Sequence, residues 1–248
     1  MNGTGKKWMI LIVLIVGILG LSASALAQGA PTKEVEKNLL QTWVLDGGVI
    51  VFFEILLSVI VVALVIDNLL KIRRSVLLPE ESRTHLEEMF AEKRYREAID
   101  YSAEDPSYLG VVVNAALKEA ANGYAAMERG LEEANEERTT KLFRRIEPMN
   151  VLGNVAPMIG LFGTVSGMIS AFNKIVEAGG TPRPAELAGG ISTALLTTFW
   201  GLLIAIPSLS LYAFFRHRIE GLSAESVMQV EEMLQPFKPG QRANVKQE

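Results

Sequence analysis

Four threonines are the first residues that could do chemistry. Thr193, Thr197 and Thr198 lie in the run ISTALLTTFWGLLIAIP, and Thr164 lies in the apolar segment GLFGTVSG. A hydroxyl both donates and accepts, so a row of hydroxyls can pass on a hydrogen-bond chain without holding a fixed charge. Thr193 and Thr197 are one helical turn apart, and Thr198 lies about 100° further round. Small residues accompany them. Gly160, Gly163, Thr164, Gly167, Ser170 and Ala171 recur at three- and four-residue spacing, as do Gly190, Thr193, Thr197, Gly201 and Ser208. In lipid such a face lets helix backbones approach closely. Two readings stand. In one, each hydroxyl bonds back to a carbonyl a turn earlier and the small residues merely pack. In the other, the hydroxyls line a narrow wet path. Three threonines on neighbouring parts of one helix, opposite Thr164, favour the second.

Other polar features sit near this stripe. Pro157 and Pro207 each remove a backbone donor, so kinks and freed carbonyls are expected there. Freed carbonyls need neighbours or water, which suggests a hairpin that faces other protein. Glu54 is the only acid deep in any apolar run. Intramembrane acids are functional candidates. Glu54 lies about two turns inside the outer end, within reach of the headgroup zone. Asp67 and Asn68 are expected to meet the interface at the inner end.

The elements that must position these residues follow from hydropathy. The 248-residue chain has a mean hydropathy of +0.25, but its apolar residues are clumped. Residues 47–70, 151–175 and 187–215 are each long enough to span a bilayer. Lys71, Arg73 and Arg74 follow the first span, and Arg216, His217 and Arg218 close the third. By the positive-inside rule both ends are cytoplasmic. The insert 71–150 is then cytoplasmic, and 176–186 is a periplasmic turn between the second and third spans. Residues 216–248 form a cytoplasmic C-terminal helix and tail. At the other end, Lys6 and Lys7, an apolar core and Ala25-Leu26-Ala27 read as a signal peptide over 1–27. Its core is short for a span. Residues 28–46 then form a periplasmic N-terminal segment. The fold class is all-α: a polytopic membrane protein with three transmembrane helices and a helical cytoplasmic insert, its helices extending beyond the membrane.

The insert carries most of the charge, 29 of the chain's 52 charged residues from Lys71 to Met149. A solvated helical surface accounts for this. Pro79 opens a helix whose stripe is Leu86, Met89 and Phe90. A second helix ends before Pro106, and a third runs to a stop at Gly123. A long helical pattern from Tyr124 then leads into the second span.

Several functions are excluded. There is no cysteine, so disulfides, thiolate nucleophiles and cysteine metal sites are absent. The two histidines, His85 and His217, lie far apart, so no metal site is expected. The net charge of −4 gives no reason to expect nucleic acid. Phosphate loops, nucleophile elbows and zinc helices are not found, and no cofactor is expected.

The paired motifs APMIGLFGTVSGMISAF and ELAGGISTALLTTFWGLLIAIPSLSLY resemble the MotA/TolQ/ExbB proton-channel family, its ExbB branch most of all. GGVIVFFEILLSVIVVALVIDNLL resembles that family's first span. The resemblance covers about Gly47–Glu220. It implies an inner-membrane stator subunit of a motor driven by the proton motive force. It further implies a homo-pentamer around the single spans of an ExbD/TolR-type partner, whose intramembrane aspartate carries the proton. The partner passes work to a TonB-like protein that energises outer-membrane transport. Thr164 matches the threonine of the family's GLFGTV. Thr193, in GISTAL, stands where the family's GISEAL has glutamate, and Thr198 matches the threonine five residues further on. With no acid in that helix, the titrating carboxylate is expected from the partner. The hairpin would wall the path and solvate a proton held elsewhere. The alternatives are a TolQ-like envelope-maintenance stator, a non-conducting membrane scaffold, or an enzyme built on the insert. The absence of histidine and cysteine constellations argues against the enzyme.

Overall fold

Glycines and prolines set where these helices begin and stop. The computed structural model describes residues 48–239. The expected signal peptide over 1–27, the expected N-terminal segment over 28–46, Gly47 and the end of the tail lie outside the described residues. Helix α1 is Gly48–Lys71, and four short helices follow: α2 Arg74–Leu77, α3 Glu80–Ala91, α4 Tyr95–Glu104 and α5 Tyr108–Lys118. A 3-10 turn, Ala120–Asn122, precedes the long helices α6 Tyr124–Glu177 and α7 Pro184–Leu234, and a second, Gln235–Phe237, closes the described chain. The described residues contain no strand. Helices α1, α6 and α7 are long and apolar enough to cross a membrane. At 1.5 Å per residue α6 is about 80 Å long, against about 30 Å of hydrocarbon. Both long helices therefore extend beyond a bilayer.

Contacts divide the described residues into two units: 48–53 with 160–203, and 54–159 with 204–239.

In the second unit, α1 packs one stripe. Leu57, Val61 and Val65 meet Leu152 and Ala156 of α6 and Ile204 of α7. The opposite face of α1, with Phe52, Phe53, Leu56, Val59, Ile60, Val62 and Ile66, is exposed and suits lipid. A Cβ on Gly153 would stand 2.7 Å from Leu209 Cγ, so the α6 backbone meets α7 closely there. Next to Pro207, the buried Ser208 hydroxyl donates to Met149 O at 2.7 Å. The α-helices run unbroken through Pro148, Pro157 and Pro207. Asn68 was expected at the interface. It is buried instead, donating Nδ2–H to Met149 Sδ at 3.5 Å. Its neighbour Asp67 does face outward, paired with Lys71 at 2.6 Å and Arg145 at 2.7 Å.

The insert belongs to this unit. Leu86, Met89 and Phe90 are buried on α3, as their spacing requires. Pro79 occupies the N-cap of α3 with extended backbone. The turn before α5 is built by side chains. Ser107 caps it by accepting from Gly110 N at 3.0 Å, while Asp105 Oδ1 accepts from Ser107 N at 2.8 Å. The third insert helix was expected to reach Gly123, but α5 ends at Lys118. There Glu119 N bonds Ala116 O at 3.2 Å and Asn122 N bonds Glu119 O at 2.9 Å, the tighter 3-10 pattern, and Gly123 takes φ +93°. Farther along, Tyr108 Oη joins Asn135 Oδ1 (2.6 Å), Thr139 Oγ1 (2.8 Å) and Ser223 Oγ (3.1 Å), tying α5, α6 and α7 together. Arg74 adds exposed pairs to Glu80 (2.9 Å) and Glu225 (2.7 Å). Its hydrogen bond holds the Glu80 carboxyl below the ordinary value of 4.5.

The first unit is the α6–α7 hairpin. At the end of α6, Gly180 N bonds Ile175 O (3.0 Å) and Gly179 N bonds Val176 O (3.1 Å), with Gly179 at φ +62°. These two bonds form a Schellman motif. Pro184 then starts α7, where its missing donor is no loss, and Glu186 sits in the first turn.

Candidate functional site: the hydroxyl stripe of the hairpin

The hairpin is closest where glycine removes the side chain. A Cβ built on Gly163 would lie 2.5 Å from Thr197 Cβ. One on Gly167 would meet Gly190 O at 2.9 Å and Ala194 Cβ at 3.0 Å, and one on Gly190 would meet Ala171 Cβ at 2.8 Å. Carbon atoms settle at about 3.5–4.0 Å, so no larger residue fits these three positions without separating the helices. Gly160 and Gly201 are buried as well.

This closeness sorts the threonines. Thr197 is fully buried at 0% exposure. Its hydroxyl lies 2.8 Å from Ala194 O on its own helix and 3.2 Å from Gly160 O across the hairpin. One proton is shared between the two carbonyls. Thr197, expected in the proton path, is therefore covered inside its own hairpin. Thr198 is partly exposed and reaches the same Gly160 O at 3.4 Å. Thr164 and Thr193 are also partly exposed. Thr164 donates to Leu161 O at 2.6 Å, and Thr193 to Gly189 O at 3.1 Å. Back-bonding holds at Thr164, Thr193 and Thr197, and Thr197 and Thr198 also reach across to Gly160 O on the facing helix.

The chemistry follows from where the protons go. A hydroxyl that gives its proton to a helix carbonyl keeps two lone pairs. Thr164 and Thr198 in these rotamers offer acceptors, suited to water or to a protonated carboxyl. No carboxylate stands in residues 160–173 or 187–203. Among the described residues no cluster of histidine, aspartate and glutamate could hold a metal.

Glu54 lies in the other unit, on α1. Its residue is 0% exposed, and neither carboxyl oxygen has a hydrogen-bond partner among the described residues. Burial in the protein, rather than reach toward headgroups, is its situation. Sequence reasoning did not find the Tyr108–Asn135–Thr139–Ser223 cluster or the Asn68–Met149 contact. Both join residues more than 25 positions apart that carry no shared motif.

Comparison with known proteins adds the family. The model of the MotA/TolQ/ExbB proton channel family matches residues 104–228, half of the chain. A protein of Pseudomonas putida named biopolymer transport protein ExbB is 42% identical over 74 residues, 30% of this chain and 22% of that protein. Biopolymer transport protein exbB1 of Vibrio cholerae is 39% identical over 62 residues, 25% of this chain and 27% of that one. Biopolymer transport protein ExbB of Salmonella typhimurium is 40% identical over 73 residues, 29% of this chain and 30% of that one. The matched stretch thus spans less than a third of each of these relatives. By the extent of the family match and its coincidence with the long helices, the chain belongs to the MotA/TolQ/ExbB proton channel family.

Proposed function

We propose that this chain is the wall-forming subunit of an inner-membrane proton channel, working with a single-span ExbD/TolR-type partner that carries an intramembrane aspartate. The observation that carries the reading is the pair of facing stretches 160–173 and 187–203: apolar, uncharged, packed backbone to backbone, with hydroxyl lone pairs at Thr164 and Thr198. An unpaired carboxylate in an apolar interior takes a proton rather than stay charged. Hydroxyls beside it accept from the protonated form and, after rotating, donate to the ionised one. They lower the cost of cycling between the two without adding a competing charge. Five copies around the partner's spans would make such a wall continuous, and Thr193 would contribute a third hydroxyl. Movement of the partner would then drive a TonB-like protein that energises outer-membrane transport. In this reading 71–150 and 216–248 are cytoplasmic, 176–186 is periplasmic, and 1–27 is a cleaved signal peptide ahead of a periplasmic segment.

The test is proton flux in vesicles holding the chain with and without the partner. Partner-dependent flux, reduced by Thr198→Val without loss of the complex, is the expected result. An intact complex with no partner-dependent flux refutes the proposal. The burial of Thr197 within its own hairpin favours a second reading, a scaffold that only oligomerises. There, Thr198→Val would leave flux untouched and Thr197→Val would change assembly.

A further inference from the structure

Glu54 is unlike every other acid in the described chain. The remaining carboxylates near the spans lie at their ends, where Asp67 pairs with Lys71 and Arg145 and Glu147 takes bonds from Asn150 and Tyr212. Glu54 lies 13 residues along α1 from Asp67, about 20 Å from that ion pair along the axis. With about 30 Å of hydrocarbon to cross, this places it well inside the bilayer. Its position on α1 is also informative. Glu54, Leu57, Val61, Val65 and Asn68 fall at helical spacing on one face, and Leu57, Val61 and Val65 of that face pack against α6 and α7. The lipid-suited face, with Phe52, Phe53 and Leu56, is the other one. The carboxyl therefore points into protein.

Its surroundings carry no counter-charge. In the unit that holds Glu54, the α6 segment 149–159 has no titratable residue, and the α7 segment 204–215 has only Tyr212. Tyr212 is turned to Glu147 at 3.3 Å. Within that unit the nearest bases on α6 and α7 are Arg145 and Arg216, toward the opposite, inner end, and the next base of α6 in the other direction is Lys174, in its last turn. Both Glu54 oxygens are buried without a partner among the described residues.

A leucine would fill this position more cheaply, because a buried polar group without a partner loses its hydration and regains nothing. An isolated ionised carboxylate is far more costly, and such groups neutralise instead. From the burial, the depth and the absent counter-charge, we propose that Glu54 is a proton-binding site of this chain, a neutral carboxyl inside the first span that releases its proton only when a cation or water reaches it. The subunit then brings an acid of its own to the membrane interior, besides any supplied by a partner. The proposal rests on the channel reading for its purpose, but its test reads the carboxyl directly.

The experiment is infrared spectroscopy of the full-length protein in lipid at pH 6, where a solvated glutamate is almost wholly ionised. The wild type should show a protonated-carboxyl stretch that is lost in Glu54→Gln and shifted in Glu54→Asp. Glu54→Gln is nearly isosteric with the protonated acid, so its unfolding midpoint should match the wild type. A spectrum identical in wild type and Glu54→Gln overturns the proposal. So does a Glu54→Gln protein that fails to fold while Glu54→Asp folds without the band. Proton flux in the same vesicles is scored separately. Absent flux with the band present removes the channel reading and leaves the proton site standing; where the complex conducts, flux should fall in Glu54→Gln.

Discussion

Gly163→Ala tests the hairpin geometry most directly. The new Cβ would sit 2.5 Å from Thr197 Cβ, at least about 1 Å too close, so α6 and α7 must part or Thr197 must shift. Overpacking of this kind costs about 1–3 kcal/mol. Parting the helices also weakens the bonds from Thr197 and Thr198 to Gly160 O, each worth about 0.6 kcal/mol in a membrane interior. Against this, alanine in place of a helical glycine gains roughly 0.5–1 kcal/mol. The net expectation is a loss of about 2 kcal/mol. Gly189 supplies the control. It lies on the same hairpin in helix α7, but a Cβ there meets nothing within 4 Å. Gly189→Ala should therefore keep only the helix gain, and the two alanine variants should differ by about 2–3 kcal/mol. A compensating pair, Gly163→Ala with Thr197→Gly, should recover at least about 1 kcal/mol relative to the sum of the single changes. The assay is reversible unfolding of the full chain in bicelles, with steric trapping at the two helix ends to read hairpin separation. Equal effects of Gly163→Ala and Gly189→Ala, or strict additivity of the pair, would refute the packing argument.

Two further outcomes follow from the insert. Tyr108→Phe deletes the hydroxyl that joins Asn135, Thr139 and the buried Ser223, which still bond one another; it should cost about 0.5–1.5 kcal/mol in thermal or denaturant unfolding and leave the hairpin separation unchanged. Glu80 is hydrogen-bonded to Arg74, and its folded value lies below 4.5. The stabilising contribution is therefore fully present above 4.5 and fades as pH falls through the lowered value. Wild type should be slightly more stable than Glu80→Gln at pH 6 and equal to it once Glu80 is protonated in both the folded and the unfolded chain, a gap that unfolding midpoints from pH 6 to pH 2 would track; a gap independent of pH would contradict the pairing.

How much of this was legible in the sequence depends on the range of the interaction. The spans, the insert helices and the hairpin turn rest on local periodicity and on glycine and proline, which act within a few residues. Leu86, Met89 and Phe90 fall on the buried face that their spacing requires. Misses arose where a distant neighbour decided the matter. Asn68 reads as an interfacial residue beside Asp67, yet Met149 covers it. The end of α5 differs for a local reason, since the backbone tightens to three-residue bonds from Glu119 N to Ala116 O and from Asn122 N to Glu119 O ahead of Gly123. Thr197 and Thr198 are neighbours of the same type. Only the approach of Gly160 and Gly163 makes the first an internal bridge and leaves the second partly open.

That difference bears on how an uncharged helix could serve a proton. If hydroxyls alone made the wall, any threonine on the stripe would do, and the glycines would be incidental. The distances argue otherwise. Gly163 lets Thr197 bury itself, and this closeness holds Gly160 O where it receives both Thr197 and Thr198. With its proton given to that carbonyl, Thr198 keeps lone pairs for whatever approaches from outside the hairpin. The glycines thus set the polarity of the hydroxyl as well as the spacing of the helices. A bulkier residue at Gly163 would release Gly160 O and free the Thr198 proton to turn outward. A site that accepts from a protonated carboxyl would become one that donates to an ionised one. On this argument Gly163→Ala should alter proton flux in the assembled complex even in lipid thick enough to hold the helices together.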